Sequence, residues 1–189
     1  YLDSSASVIV ADAHPGVGGM WRNTYDHVRL HQPYRLFTAA NIAWELEKPP
    51  EHLASKEEVR THQAHCWSVL NRELNIEACF GHAYVSHDSV AADDDSRIDV
   101  RLSPTAGGTT ERVVRTKRLI KALGLMVPPS RPLVLQSAQV RSITPESPEF
   151  LGPVMRSADS PIYVVGGGKT GTDVAHTLLS RLPGRKIDL

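Results

Sequence analysis

Hydrophobic positions along this 189-residue chain follow two rhythms. Residues 8–11, in "ASVIVADAHPGVGGMW", form a short β-branched run closed by Asp12 and a glycine-bearing loop, which predicts a buried parallel strand. From Ser55 the apolar positions fall at helical spacing. "SKEEV" predicts a capping box, with Ser55 as N-cap and Glu58 at the third position. Val59, Cys66, Val69 and Leu70 then line one face of a helix running to about Glu73. Residues 77–123 return to short runs, "ACFGHAYVSH", "SRIDVRLS" and "ERVVRTKRLIKALG", separated by "DSVAADDD" and "PTAGGT". Their turn chemistry predicts an antiparallel β-meander, with the acidic triplet 93–95 on a solvated hairpin tip.

Near the other end, "IYVVGGGKTGTDVAHTLL" predicts a strand, a glycine loop and a helix with Val174, Ala175, Leu178 and Leu179 facing inward. "RLPGRK" ends that helix at Pro183 and Gly184, and a second strand is expected near "KIDL". Two stretches keep no period. Residues 15–37 are rich in Gly, aromatic and His residues, the composition of a binding loop. The proline-rich "LMVPPSRPLVLQSAQVRSITPESPEFLGP" reads as a connector between structural units. The pattern divides into an α/β region over 1–125, a connector over 126–160 and a second α/β region starting at 161.

Composition narrows the function classes. Lys plus Arg and Asp plus Glu are 21 each, so the formal charge is zero, and no basic stripe argues for nucleic acid or an anionic membrane. Two cysteines, Cys66 and Cys79, match neither a redox CxxC nor a zinc set, which points to a reduced, cytoplasmic compartment. No apolar run reaches membrane-spanning length, and the N-terminus lacks the succession of a signal peptide. The chain starts at Tyr1 and reaches a strand within about seven residues, as a piece of something longer would.

Chemistry concentrates in two places. Gly166, Gly168 and Gly171 fill G-x-G-x-x-G directly after an apolar strand, the context of a dinucleotide-binding loop. There the first glycine permits the tight turn, the second lets backbone approach a pyrophosphate and the third lets helix and strand pack closely. Lys169 and Thr170 do not stand at P-loop spacing. Asp12 is either an ordinary loop residue or a carboxylate accepting from both ribose hydroxyls of an adenine nucleotide. Gly18 and Gly19 allow close backbone approach, and Trp21 offers a flat apolar face with one donor. His62, His65 and Cys66 share one helical turn but no fourth ligand is evident, so the expectation is surface or half-buried histidines and no metal.

"VIVADAHPGVGGMWRNTYDHVRLHQP" resembles the flavin-binding segment of class B flavoprotein monooxygenases, the flavin-containing and Baeyer–Villiger monooxygenases. These carry an acidic strand end, a GG-x-W-R loop and a Y-x-x-(V/L)-R-L segment. "VVGGGKTGTDVA" resembles the same family's NADPH-binding glycine loop. The resemblance implies two Rossmann-like dinucleotide-binding domains, FAD on the first and NADP on the second (NAD not excluded), with the meander as an insert. It implies a flavin peroxide that passes one oxygen from O2 to a small sulfide, amine or ketone. On that likeness Asp12 takes the FAD ribose, and Gly18, Gly19, Trp21 and Arg22 cover the pyrophosphate and flavin. His31 and Gln32 stand near the reactive edge of the isoalloxazine, and Gly166, Gly168, Lys169, Thr170 and Gly171 take the nicotinamide nucleotide.

The chain departs from the family at several points. The family's first glycine loop would precede Tyr1, so weak FAD binding by this piece alone is expected. "KALG" at 121–124 has Leu123 where the family has Thr, and His31 stands in place of an asparagine. Phe150, Gly152 and Arg156 echo F-x-G-x-x-x-H with Arg for His. These departures would suit a diverged, non-enzymatic nucleotide-binding module, and an amine N-hydroxylase shares the two-domain plan. The missing CxxC argues against a flavin disulfide reductase.

Overall fold

The computed structural model describes residues 6–90, 97–108, 110–124 and 130–189. They form a mixed α/β chain with a three-stranded antiparallel sheet and two parallel strand pairs. Two compact units interleave along the sequence. One comprises Tyr1–Arg22, Thr38–Leu46 and Arg60–Met126, the other Asn23–Phe37, Glu47–Val59 and Val127–Leu189.

In the first unit, strand β1 (Ser7–Asp12) pairs in parallel with β2 (Asn75–Phe80), from Ser7 opposite Asn75 to Asp12 opposite Phe80. Between them in sequence lies helix α1 (Lys56–Glu73). Parallel neighbours need such a crossover, because a tight turn can only return a strand antiparallel. β1 is parallel, as its pattern predicted, but it is not buried: its residues alternate between exposed and half-buried.

The sequence reading of "ACFGHAYVSH" as one meander strand is corrected here. Phe80 ends β2, Gly81 takes φ +72°, and β3 (His82–Val90) starts a different sheet. A positive φ is open to glycine at little steric cost, so the chain can change direction within one residue. The meander itself is present as β3, β4 (Arg97–Pro104) and β5 (Arg112–Thr116), antiparallel in that order. β5 stops at Thr116 rather than running to 123. The Thr116 hydroxyl bonds both the backbone N–H and the carbonyl of Arg118, a local alternative to the ladder. The acidic triplet 93–95 lies outside the described residues. Cys79, Val100 and Leu102 form the buried cluster, with Tyr84, Ile98, Val114 and Leu119 packed on it.

The second unit holds the first turn of α1. Its capping box is as the sequence predicted: the Ser55 hydroxyl accepts from the Glu58 N–H at 3.3 Å, and Glu58 Oε2 accepts from the Ser55 N–H at 2.8 Å. The segment before it is zipped to residues 28–34. Leu30 N–H bonds Ala54 O at 2.9 Å, Tyr34 N–H bonds His52 O at 3.0 Å and Lys56 N–H bonds Val28 O at 3.2 Å. Tyr25, Val28, Leu30 and Tyr34 are buried. The later part of the supposed binding loop is therefore core, and its irregular spacing hid this because no helix or strand imposes a period on it.

The rest of the second unit contains α2 (Pro153–Ser157), β6 (Ile162–Tyr163), α3 (Lys169–Arg181) and β7 (Ile187–Asp188). β7 pairs in parallel with β6, so the strand expected near "KIDL" is there. Val174, Leu178 and Leu182 form a buried cluster, with Phe150, Leu151, Met155, Ile162, Val164 and Ile187 against them. Leu179 is a correction: it is 61% exposed, and Leu182 fills the face instead. Positions 174, 178 and 182 keep the four-residue spacing that shares one helix face, and 179 falls off it. Among the described residues no helix is long and apolar enough to cross a membrane.

Candidate functional site

In the second unit the glycine loop joins β6 to α3. Gly166 has φ +120°, a conformation that strains any residue with a Cβ. Gly168 is the N-cap of α3 in extended conformation, φ −77° and ψ −176°, and Thr172 N–H bonds its carbonyl at 3.0 Å to start the helix. The first-turn N–H groups of a helix lack intrahelical partners and carry partial positive charge. A Cβ built on Gly166, Gly167 or Gly168 would meet nothing within 4 Å, so the loop's face is open. Gly171 differs. Its Cβ would stand 1.7 Å from the Gly166 carbonyl oxygen, inside the loop's own backbone.

Lys169 and Thr170 do not point free into that opening. Lys169 pairs along the helix with Asp173, and Asp173 Oδ2 also accepts the Tyr25 hydroxyl at 2.8 Å. The Thr170 side chain also acts on the Tyr25 phenol, favouring its ionised form. His27 stacks on Phe150 at 4.7 Å and lies 4.6 Å from the Tyr25 ring. Its Nε2 and Glu146 Oε2 are buried without a partner. Burial holds the His27 imidazole below its ordinary range against the pull of Asp173, Asp26 and Glu146. Sequence reasoning missed Tyr25, His27 and Asp173, although Lys169 and Asp173 stand at the i, i+4 spacing of a helical ion pair.

Burial raises the Tyr25 phenol to about 12; the Thr170 side chain opposes this and the Asp173 carboxylate adds to it. This lies above the ordinary tyrosine value near 10, so the stability it contributes is complete below about pH 10 and is lost as pH rises toward 12. Ultraviolet titration of phenolate absorbance should show a late component that disappears in Tyr25→Phe. A titration curve that Tyr25→Phe leaves unchanged at high pH would contradict this placement.

The other predicted residues are distributed as follows. Asp12, Gly18, Gly19, Trp21 and Arg22 belong to the first unit, and His31 and Gln32 to the second. Asp12 Oδ1 accepts from the His14 backbone N–H at 2.8 Å and meets His14 Nδ1 at 2.8 Å. Arg22 donates from Nη1 to Val17 O at 2.7 Å, bracing its own loop. Gly18 is buried at φ +130°, where a Cβ would lie 2.8 Å from Arg22 Cγ. His31 is exposed and Gln32 half-buried, just before a 3-10 turn at Tyr34–Leu36.

Val17, Gly18, Gly19, Met20 and Trp21 form one side of an open hollow of about 390 Å3 in the first unit, and Gln63, Cys66, Trp67 and Leu70 of α1 form the other. Beside it, the 3% exposed His62 ring stacks on Trp44 at 4.0 Å, and Cys66 Sγ lies 3.5 Å from His62 Nε2. Burial of His62 departs from the expectation of surface or half-buried histidines; His65 is half-buried and meets Glu45 at 3.2 Å. Burial lowers the His62 imidazole and raises the Cys66 thiol, so near neutral pH the two are uncharged. That is the opposite of an activated thiolate pair. Among the described residues no three His, Cys, Asp or Glu side chains are grouped to hold a metal ion.

No protein-family model, curated protein or solved structure matches this chain.

Proposed function

We propose that this chain carries the two nucleotide loops of a flavin-dependent, NAD(P)H-using oxidoreductase. Its reaction class is monooxygenation, transfer of one oxygen atom from O2 to a small organic substrate. The reading rests on the likeness of "ADAHPGVGGMWR" and "VVGGGKTGTDVA" to class B flavoprotein monooxygenases, which carry FAD and NADP on two Rossmann-like domains.

The observation that carries it is the close approach of Gly171 to Gly166 O. A plain tight turn does not require its fifth following residue to be glycine, whereas a pyrophosphate loop packs its helix onto its own first turn. The open face at Gly166–Gly168 and the thirteen-residue helix behind it fit a nucleotide pyrophosphate, with backbone N–H groups as donors. In the first unit one Asp12 oxygen is taken by His14, and the second would accept from a ribose. When bound, FAD supplies the electron transfer and O2 chemistry, and the protein orients it and excludes water.

Gly168→Ala separates a ligand role from a structural one. The added methyl meets no atom within 4 Å and φ is negative, so unfolding should shift by less than about 1 kcal/mol, the difference between Gly and Ala at an N-cap. Calorimetric titration with NADPH and NADP+ should nonetheless show affinity down by about tenfold or more, because the methyl stands where the pyrophosphate approaches. Unchanged affinity in this variant, or no binding by the unsubstituted chain, would remove the nicotinamide nucleotide from the reading. Flavin is tested separately: protein reconstituted with FAD should be yellow, bleach with NADPH and recover in air. A nucleotide-binding protein that never takes up FAD would instead be the non-enzymatic module.

A further inference from the structure

Trp44 and Glu45 stand in the segment Thr38–Leu46 of the first unit, and their side chains meet two histidines that lie one turn apart on α1. The Trp44 ring lies flat on the His62 ring, with centroids 4.0 Å apart and planes 10° from parallel. Glu45 Oε2 meets His65 Nδ1 at 3.2 Å. No residue of 38–46 is itself buried, yet the His62 beneath them is 3% exposed. The segment turns on a bridge between Ala39 and Ile42. Ala40, inside that turn, takes φ +52°, a left-handed conformation that strains a residue with a Cβ. A strained, unburied segment anchored to a helix through two imidazoles is built as a strap.

We propose that this strap is an acid-released clasp: protonation of His62 lifts Trp44 off α1 and opens residues 38–46. A neutral imidazole stacks on an indole at little cost, whereas an imidazolium enclosed in the same place loses its water. Among the described residues, the charged groups acting on the ring are His65, from α1 itself, and Glu45, from the strap. Cys66, with Sγ 3.5 Å from Nε2, adds only a weak sulfur acceptor. Protonated His65 repels a second charge. Glu45 attracts it, but from a largely exposed carboxylate that water screens, and the indole face attracts it too. Loss of water outweighs both attractions, since burial is the largest influence on this ring and holds it below the ordinary histidine range. A base depressed in the closed state binds fewer protons there. Closure is therefore at full strength above about pH 6.5 and weakens by up to tenfold per pH unit below it. The clasp goes beyond the nucleotide reading, which assigns no role to Trp44, Glu45, His62 or His65.

Fluorine NMR of the chain labelled with 5-fluorotryptophan tests this, the Trp44 resonance being the one that Trp44→Phe removes. Between about pH 7 and 5, where histidine changes charge, that resonance should move toward the position of the free amino acid. It should gain the H2O/D2O isotope shift of an exposed indole, with the released fraction growing about 3- to 10-fold per pH unit. The Trp67 resonance, from a ring packed on Phe80 at 5.1 Å, should stay in place and so separate release from unfolding. His62→Phe keeps a flat ring against Trp44 and cannot take a proton, so its Trp44 resonance should not move. In the unsubstituted chain the His62 imidazole resonances should titrate in step with the Trp44 shift, a check that stands even if His62→Phe does not fold. A Trp44 resonance indifferent to acid, one that moves equally in His62→Phe, or one that moves only together with Trp67 overturns the inference. So does a His62 that takes its proton with Trp44 still in place.

Discussion

Gly171→Ala is expected to destabilise the second unit by about 3 kcal/mol, the upper end of overpacking costs. The methyl would stand 1.7 Å from the Gly166 carbonyl oxygen and its carbon would be 2.8 Å away. Both atoms are backbone, so no side-chain rotation relieves the clash. The helix must move off the loop, and moving it uncovers Val174, Leu178 and Leu182, which make one buried cluster of that unit. Urea unfolding followed by circular dichroism should show the lower midpoint, and amide exchange along Lys169–Arg181 should accelerate first. Neighbouring Gly168→Ala, with no atom in its way, is the internal control. A Gly171→Ala protein within about 0.5 kcal/mol of the unsubstituted one, the usual scatter for surface changes, would mean the loop does not pack as described.

Tyr34→Ala should cost a further class of stability, about 3–5 kcal/mol, as large aromatic truncations in cores do. Tyr34 is 1% exposed and among the largest fully buried side chains of the protein. Its hydroxyl donates to Lys48 O at 3.2 Å and accepts from Arg35 Nε at 3.1 Å, while its ring meets the His52 ring edge-on at 6.1 Å. Tyr34→Phe keeps the ring and removes the hydroxyl with its hydrogen bonds to Lys48 and Arg35, so about 1 kcal/mol is expected. Thermal denaturation of both variants measures the difference. If alanine and phenylalanine cost the same, the ring is not the buried anchor and the stretch 23–37 is a surface loop after all.

The contrast between these two sites shows where reading residues in order succeeds. The helix beginning after Ser55 is specified by groups within three positions of each other, Ser55 and Glu58, and its course toward Glu73 follows from a face kept from Val59 to Leu70. The strand, glycine loop and helix of 162–181 are equally local. A positive φ at Gly166 and the contact of Gly171 with it involve only five steps of chain. Spacing between glycines was therefore enough to anticipate them.

Other features depend on partners far away in sequence. Residues 75–80 form β2, whereas the sequence pattern ran 78–80 on into the meander, because a short apolar run does not state which neighbour it pairs with or in which direction. Its parallel pairing with β1 comes from the path through α1. Tyr25, Val28, Leu30 and Tyr34 looked like a ligand-facing loop because aromatic and glycine-rich composition is shared by binding loops and by irregular core segments. What made them core is the backbone zipper to 52–56.

Local chemistry thus settled the caps and the glycine turn, since each depends on neighbours a few residues apart, and it anticipated the antiparallel meander but not the bounds of its first and last strands. The tertiary arrangement was needed to bring Val17 to Trp21 opposite one face of α1. It was needed equally to join Tyr25 to Asp173 across 148 positions. Side-chain contacts of that separation are made only after loop closure has been met by packing elsewhere, and no residue's nearest neighbours in sequence record them.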